Sequence, residues 1–290
     1  MKILYIIAIG FMVISVCFTQ QIATGTDAQT DYETGLKYYN SQDYAQALKW
    51  LHKAADQGHA RAQGFLGIMY HDGKGVTQDY AEALKWLRKG ANQGDAHVQL
   101  ILGRMYYSGK GVTKDYVEAL KWSRKSADQG NALAQGELGA MYSSGKGVVQ
   151  DYAEALKWYH KAANQGDTNA QWLIGIMYDR GQGVTRDHAE ALKWVRKSAD
   201  EGNAIAQGFL GLMYRNARGV TKDYAEALKW FRKGADQGYA MAQKELGGMY
   251  YSGEGVTKDY AEALKWYRKA ADQGDDEALK KLQELTKMGF

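Results

Sequence analysis

An all-α fold is predicted for this 290-residue sequence: an α/α solenoid, a right-handed superhelix of about seven helix-turn-helix repeats of 36 residues, plus a C-terminal capping helix. Two observations carry the prediction. The phrase Ala-Leu-Lys-Trp ends at Trp50, Trp86, Trp122, Trp158, Trp194, Trp230 and Trp266, each 36 residues after the last. Such a period marks a supersecondary unit that buries its apolar face only against copies of itself. There is also no proline, and Ala, Leu, Lys, Glu and Gln fill most positions between the glycines, a palette of helix formers.

Residues 1–25 stand outside the array. Met1 and Lys2 precede an apolar run from Ile3 to Phe18 and then polar Thr19-Gln20-Gln21, the pattern of a secretory signal. The run is short for a bilayer, which needs about 20 residues. Removal near Ala23 or Gly25 is expected, which makes the protein exported, periplasmic or secreted, with no membrane span after the cut. The lone cysteine, Cys17, follows Ile14-Ser15-Val16. That segment is either a lipoprotein box with a bulky Val16, which would anchor the chain by lipid, or an ordinary apolar run. A downstream cut leaves 26–290 as the solenoid, with no cysteine and no disulfide.

Each repeat then reads as two helices. In one copy the first spans Ala60 to Tyr70, a loop Gly73-Lys74-Gly75-Val76-Thr77-Gln78 follows, and the second runs from Asp79 to Ala91. The second helices open with Asp43, Asp79, Asp115, Asp151, Asp187, Asp223 and Asp259. Three residues on stand Gln46, Glu82, Glu118, Glu154, Glu190, Glu226 and Glu262, the spacing of a reciprocal capping box. Basic residues such as Arg88 and Lys89 suit the last turn. Gln93-Gly94 and its counterparts stop the helix with a left-handed glycine. The Gly-Lys-Gly loop fails as a phosphate cradle, because its spacing misses the P-loop and copies carry Gln182 or Glu254 for Lys and Ala217 for the first Gly. A tight turn with Val76 plugged onto the stack remains. Gly35 and Asp43 are four residues closer than Gly67 and Asp79, and 275–288 keep only Ala278 and Leu282 of a first helix, so both ends read as caps.

Charge and chemistry exclude several classes. The net charge of +4 comes from 37 basic and 33 acidic residues interspersed along the chain, without the basic stripe that nucleic acid requires. The histidines at 52, 59, 71, 97, 160 and 188 have no metal-ligand spacing, so neither metal nor cofactor is expected. Ser143-Ser144-Gly145-Lys146 contains the Ser-x-x-Lys of penicillin-recognising enzymes but lacks the companion Ser-Asp-Asn and Lys-Thr-Gly. No catalytic residue is assigned. The methionine ladder from Met69 to Met249 reads as core filler.

The repeated sentence A-x-A-Q-x-x-L-G-x-M-Y, then G-x-G-V-x-x-D-Y-x-E-A-L-K-W-x-x-K-x-A-x-Q-G, resembles the Sel one-like repeat, a cousin of the tetratricopeptide repeat with a longer loop. The resemblance covers about 30 to 290. It implies an adaptor that binds a protein or peptide partner, as a monomer, and in bacteria an exported protein linked to host interaction or envelope signalling. Thr77, Thr113, Val149, Thr185, Thr221 and Thr257 replace the family's common Pro after Gly-Val. A cysteine-rich bacterial branch carries a β-lactamase label, which leaves an envelope enzyme of β-lactamase or penicillin-binding type as the alternative function. This chain lacks those cysteines.

Recurring positions such as Gln63, Leu66, Gly67 and Tyr70 form an i, i+3, i+4, i+7 stripe for packing, and Gly67 implies a close helix contact. Varying positions form an offset stripe. The resemblance places the first helix on the concave side, so a partner is expected to meet Arg61, His71, His97, Arg104, Tyr107, Asn169, Trp172, Asp179, Arg215 and Tyr251. Trp172, outside the 36-residue ladder, is the expected hot spot. Phe65, Ile101, Leu173 and Phe209 are equally readable as inter-helix packing. The varying second-helix residues Leu51, Leu87, Ser123, Tyr159, Val195, Phe231 and Tyr267 are the other candidate surface.

Overall fold

Fifteen α-helices and no strand make up the described residues, which in this computed structural model are 27–290. The first helices are α1 (Ala28–Asn40), α3 (Ala60–Asp72), α5 (Ala96–Ser108), α7 (Ala132–Ser144), α9 (Thr168–Arg180), α11 (Ala204–Arg215) and α13 (Ala240–Ser252). The second helices are α2 (Tyr44–Asp56), α4 (Tyr80–Asn92), α6 (Tyr116–Asp128), α8 (Tyr152–Ala163), α10 (His188–Asp200), α12 (Tyr224–Asp236) and α14 (Tyr260–Ala271), with α15 (Asp276–Lys287) last. None of these helices is long and apolar enough to cross a membrane. The chain divides into a unit ending at Asp115, with α1–α5, and a unit of Tyr116–Phe290, with α6–α15. The export signal expected over 1–25, Cys17 included, lies outside the described residues.

The second helix forms where the capping pattern places it, but only half of the expected box exists. Asp79 Oδ1 accepts the backbone N–H of Ala81 and Glu82 at 2.9 and 3.0 Å, and Asp223 takes that of Glu226 at 3.0 Å. The return bond is absent because its donor is already used: the Asp79 N–H reaches the Tyr70 carbonyl at 2.9 Å, closing the loop on the preceding helix. Asp151, Asp187, Asp223 and Asp259 do the same with Tyr142, Tyr178, Tyr214 and Tyr250. The glutamate therefore turns along its own helix. Glu226 accepts from Lys229 Nζ at 2.9 Å and from Trp230 Nε1 at 3.0 Å, while Lys233 Nζ stands 4.1 Å over the Trp230 ring. In this copy the motif E-A-L-K-W-x-x-K thus encloses an indole, with its N–H satisfied by the acid and its face covered by a cation. Trp158, Trp194 and Trp266 bond their glutamates in the same way, whereas both Glu82 oxygens go to Lys85 and the Trp86 N–H is buried without an acceptor.

Close approach of the two helices in a repeat explains the glycine inside each first helix. A Cβ on Gly67 would meet Leu87 Cγ at 2.5 Å, and one on Gly211 would meet Phe231 Cδ1 at 2.6 Å. The residues packed there are the varying set Leu51, Leu87, Ser123, Tyr159, Val195, Phe231 and Tyr267, all buried. The expectation of a second surface on these residues is corrected: they are interior, and their variation changes core volume rather than an exposed face.

Polar bonds then stitch one repeat to the next. Gln63 Nε2 donates to the Ala55 carbonyl at 3.0 Å and its Oε1 accepts from Gln93 Nε2 at 2.7 Å; Gln207, Ala199 and Gln237 repeat the relay. Glu201 breaks it. Gln171 Nε2 turns to Glu201 Oε2 at 3.0 Å, which leaves Gln171 Oε1 buried without a donor. Arg88 Nη2 donates to Tyr106 Oη at 2.6 Å, and Arg124–Tyr142, Arg196–Tyr214 and Arg232–Tyr250 form the same pair.

The loops and ends follow from the chain's chemistry. Gly73 caps α3 in the left-handed region at φ 68°, and a Cβ on Gly75 would lie 2.7 Å from the Tyr44 carbonyl oxygen. The loop is thereby a turn seated on the preceding repeat. Ala217 adopts φ 56° without the freedom of glycine. The α1–α2 connection is residues 41–43 where α3–α4 uses 73–79. In α15 only Ala278 and Leu285 are buried, and exposed Gln283 stands where the other first helices place the contact glycine. A side chain there rules out the close glycine contact made by the other first helices, and α15 presents a polar face.

Candidate binding face

The varying stripe of the first helices resolves into separate cavities within each unit. In the first unit, α3 and α5 frame one of about 330 Å³ lined by Tyr32, Arg61, Gly64, Phe65, Ile68, His97, Val98 and Ile101. A second of about 280 Å³ continues from Ile68 and Ile101 to His71, Asp72, Leu87, Arg104, Met105, Ser108 and Lys110. Together they make one trench with an aliphatic and aromatic floor and charged rims. Arg61 Nε pairs with Asp95 Oδ2 at 3.1 Å, and His71 Nδ1 lies 2.8 Å from Asp72 Oδ1. Burial pushes the Asp72 carboxyl up, but hydrogen bonds from His71 and Lys74 outweigh it and hold the group below the usual carboxylate range. Phe65 and Ile101 are half-buried, part floor and part packing.

In the second unit, Trp172 and Leu173 line a cavity of about 280 Å³ with Ser143, Tyr152, Tyr159, Ile176, Met177, Arg180 and Gln182. Trp172 takes a position filled by Gly64, Gly136 and Gly208 in other copies. It is half-buried, rests on the core of the following repeats, and its indole N–H is buried without an acceptor. The expectation of a freely exposed hot spot is therefore corrected, since truncating Trp172 removes packing as well as surface. Tyr159, whose hydroxyl meets Ser143 Oγ at 3.3 Å, has its phenol pushed up by burial.

A third cavity of about 220 Å³ holds Arg215, Lys244, Glu245, Glu254, Tyr267, Glu277 and Lys281 among its walls. Its cations are neutralised: Arg215–Glu245 at 2.6 Å, Lys244–Glu277 at 2.6 Å and Lys281–Glu284 at 2.7 Å. Burial, reinforced by Glu245, pushes Tyr267 up to about 12.

The remaining expected residues fall elsewhere. Asp179, expected on the exposed face, is 6% exposed; His188 Nδ1 at 2.9 Å and Arg218 Nη1 at 3.3 Å hold it in a network. His188, one of the two partners, stands where other copies carry Tyr. Asn169 is exposed and accepts from Asn203 Nδ2 at 2.9 Å. Tyr107 is exposed beside the trench, and Tyr251 is half-buried 5.5 Å from the Tyr260 ring. Arg61, His97, His71 and Arg104 thus share one trench, whereas Asn169, Tyr107, Asp179 and Tyr251 line no cavity described above. Sequence reasoning missed Tyr32, Lys110, Tyr152 and Arg180. Arg180 had a signal: its counterparts are Asp72, Ser108, Ser144, Asn216 and Ser252.

The Ser-x-x-Lys segment carries no nucleophile geometry of its own. Ser143 Oγ donates to the Ala140 carbonyl at 3.0 Å, and Lys146 Nζ stands 5.6 Å over the Tyr116 ring. Among the described residues no cluster of three or more metal-ligating side chains occurs.

Comparison with known proteins places this architecture. A protective antigen of uropathogenic Escherichia coli displaying an SLR fold is 39% identical over 92% of this chain, with a TM-score of 0.82; this chain spans 58% of that antigen. A Sel1 repeat protein from Oxalobacter formigenes is 38% identical, covers 83% of this chain and 99% of its own, and has a TM-score of 0.78. The C-terminal part of a TPR repeat-containing protein from Cytophaga hutchinsonii, at 14% identity over 87% of this chain and 99% of its own, shares the fold alone with a TM-score of 0.51. No curated protein matches the chain. The Sel1 repeat model matches at 32–59, 60–95, 96–131, 132–167, 168–203, 204–239 and 240–275, so the chain belongs to the Sel1 repeat family of all-α solenoids, which generally serve as protein-interaction scaffolds.

Proposed function

We propose that the chain is a non-catalytic scaffold, exported to the periplasm or secreted and working as a monomer, that captures a protein or peptide partner on its first-helix face. The observation that carries this reading is the trench of α3 and α5. Its floor of Phe65, Ile68, Val98 and Ile101 and its rim of Arg61, His97, His71, Arg104 and Lys110 come mostly from positions that vary between repeats. Recurring positions are consumed by packing, so variation there serves something other than the fold. Mixed apolar and charged surfaces suit protein recognition, in which a few anchors carry most of the energy.

Affinity capture from envelope extracts and from host-cell lysates tests the reading, with wild type compared against Arg104→Glu and His97→Asp. Both residues are exposed, so the fold should persist, as far-UV circular dichroism would show, while a captured partner is lost. Capture indifferent to both changes but abolished by Lys157→Glu and Lys193→Glu, on the outer turns of α8 and α10, would refute the assignment of the face. Turnover of a chromogenic β-lactam, abolished by Ser143→Ala, would refute the non-catalytic reading; none above the blank is expected.

A further inference from the structure

The cavity of the second unit differs from the others in its charge. The trench has Asp72 in its wall and Arg61 committed to Asp95, and the third cavity balances each cation with a glutamate. Around Trp172 the wall is Tyr152, Tyr159, Trp172, Leu173, Ile176 and Met177, with Ser143, Gln182 and Arg180, and it contains no carboxylate. Arg180 is exposed, and its guanidinium has no hydrogen-bond or ion-pair partner among the described residues. An apolar pocket with one uncompensated guanidinium at its margin complements an apolar group that carries a single negative charge.

We infer that this pocket captures the C-terminal residue of a partner polypeptide, with a bulky apolar side chain against Trp172, Leu173 and Ile176 and the α-carboxylate on Arg180. Within a polypeptide, only the C-terminal residue joins those two features across one Cα. An internal Asp or Glu spends its side chain on the charge and leaves the pocket to a neighbour. The volume of about 280 Å³ lies just below the roughly 300–1,000 Å³ of pockets that enclose whole ligands, which suits one residue of an extended chain. The planar guanidinium fork matches a carboxylate in two parallel bonds, a geometry lysine cannot reproduce. The inference rests on the first-helix face being the partner surface, and it adds the chemistry that surface recognises in the second unit.

Fluorescence anisotropy tests it with N-terminally labelled hexapeptides: one ending in Phe with a free carboxylate, the same peptide amidated, and an amidated peptide with internal Glu-Phe. The free acid should bind wild type about tenfold or more tightly than the amide, as expected for a charge-assisted bidentate pair. Arg180→Gln should abolish that ratio, and Arg180→Lys should retain part of it, with melting nearly unchanged in both. A merely structural Arg180 at the end of α9 would shift melting and leave the acid-to-amide ratio alone. Equal binding of acid and amide, or no binding of either, overturns the inference while the capture experiment above still judges the scaffold reading. Equal binding of the internal Glu-Phe peptide would overturn the C-terminal assignment, and displacement by decanoate at lower concentration than by the free-acid peptide would reassign the pocket to a lipid.

Discussion

Ala217 is the residue at which the repeat pattern is most visibly strained. Every other seven-residue loop opens with a left-handed glycine, yet Ala217 sits at φ 56°. Left-handed backbone costs an L-residue about 1–2 kcal/mol, against which glycine's greater freedom in the unfolded chain offsets about 0.4–1 kcal/mol. Ala217→Gly should therefore stabilise the protein by about 0.5–1 kcal/mol, readable as a raised urea midpoint with an unchanged slope; a destabilised variant would contradict this. His160 supplies a pH dependence. Burial, opposed by Glu190, holds its imidazole below the usual 6.5, and its ring lies edge-on to Trp194 at 5.1 Å. The unfolded chain thus takes up its proton first, so the contribution is complete above pH 6.5 and is lost as pH falls through 6.5 toward the lower folded value. His59 is held down in the same direction by burial and then Arg61. The melting difference between pH 7.5 and 5.5 should shrink in His160→Arg, which restores the residue found in neighbouring copies; an undiminished difference would exclude His160 as a source.

At the level of the element, the second helix depends on an acid with an unexpected task. Glu226 sits where a capping box places its reciprocal partner, but it holds Lys229 and the Trp230 indole instead. Trp230 is 3% exposed, and a buried donor deprived of its acceptor costs about 1–3 kcal/mol. Glu226→Ala should accordingly destabilise by roughly that amount, whereas Glu226→Gln, which keeps an oxygen for the indole, should lose much less. Urea titration of the two variants checks it. Equal losses would show that the acid acts through its charge at the helix N-terminus rather than through Trp230.

For the whole molecule, stability should behave as a chain of nearest-neighbour interfaces. The Gln and Arg–Tyr bonds join sequence neighbours in the array, and among the described helices α1 and α15 each pack against a neighbour in the array on one side. Native-state hydrogen exchange should therefore find the weakest protection in α1 and α15 and stronger protection in α11–α13 of the second unit. Uniform protection from end to end would instead indicate one cooperative block. The Gln171 relay, broken at Glu201, should exchange faster than the intact Gln207 relay beside it.

The 36-residue register, the helix and loop boundaries and the family were all legible in the amino-acid order. The physical reason is locality: an N-cap, a left-handed stop and a helical stripe are decided by residues within a few positions of one another. The same locality explains the misread capping box, because the donor it required was taken by Tyr70, nine residues away and out of pattern. Which varying residues are free was beyond the sequence. Asp179 is buried by Arg218, 39 residues on, and Arg215 is neutralised by Glu245, 30 residues on. Trp172, alone in breaking the ladder, proved half core, and the uncompensated charge beside it belonged to Arg180, whose departure from the repeat register marked it as different but could not show that it stands unpaired at a pocket. Those pairings depend on the distance between helices after stacking, and only the tertiary structure sets that distance.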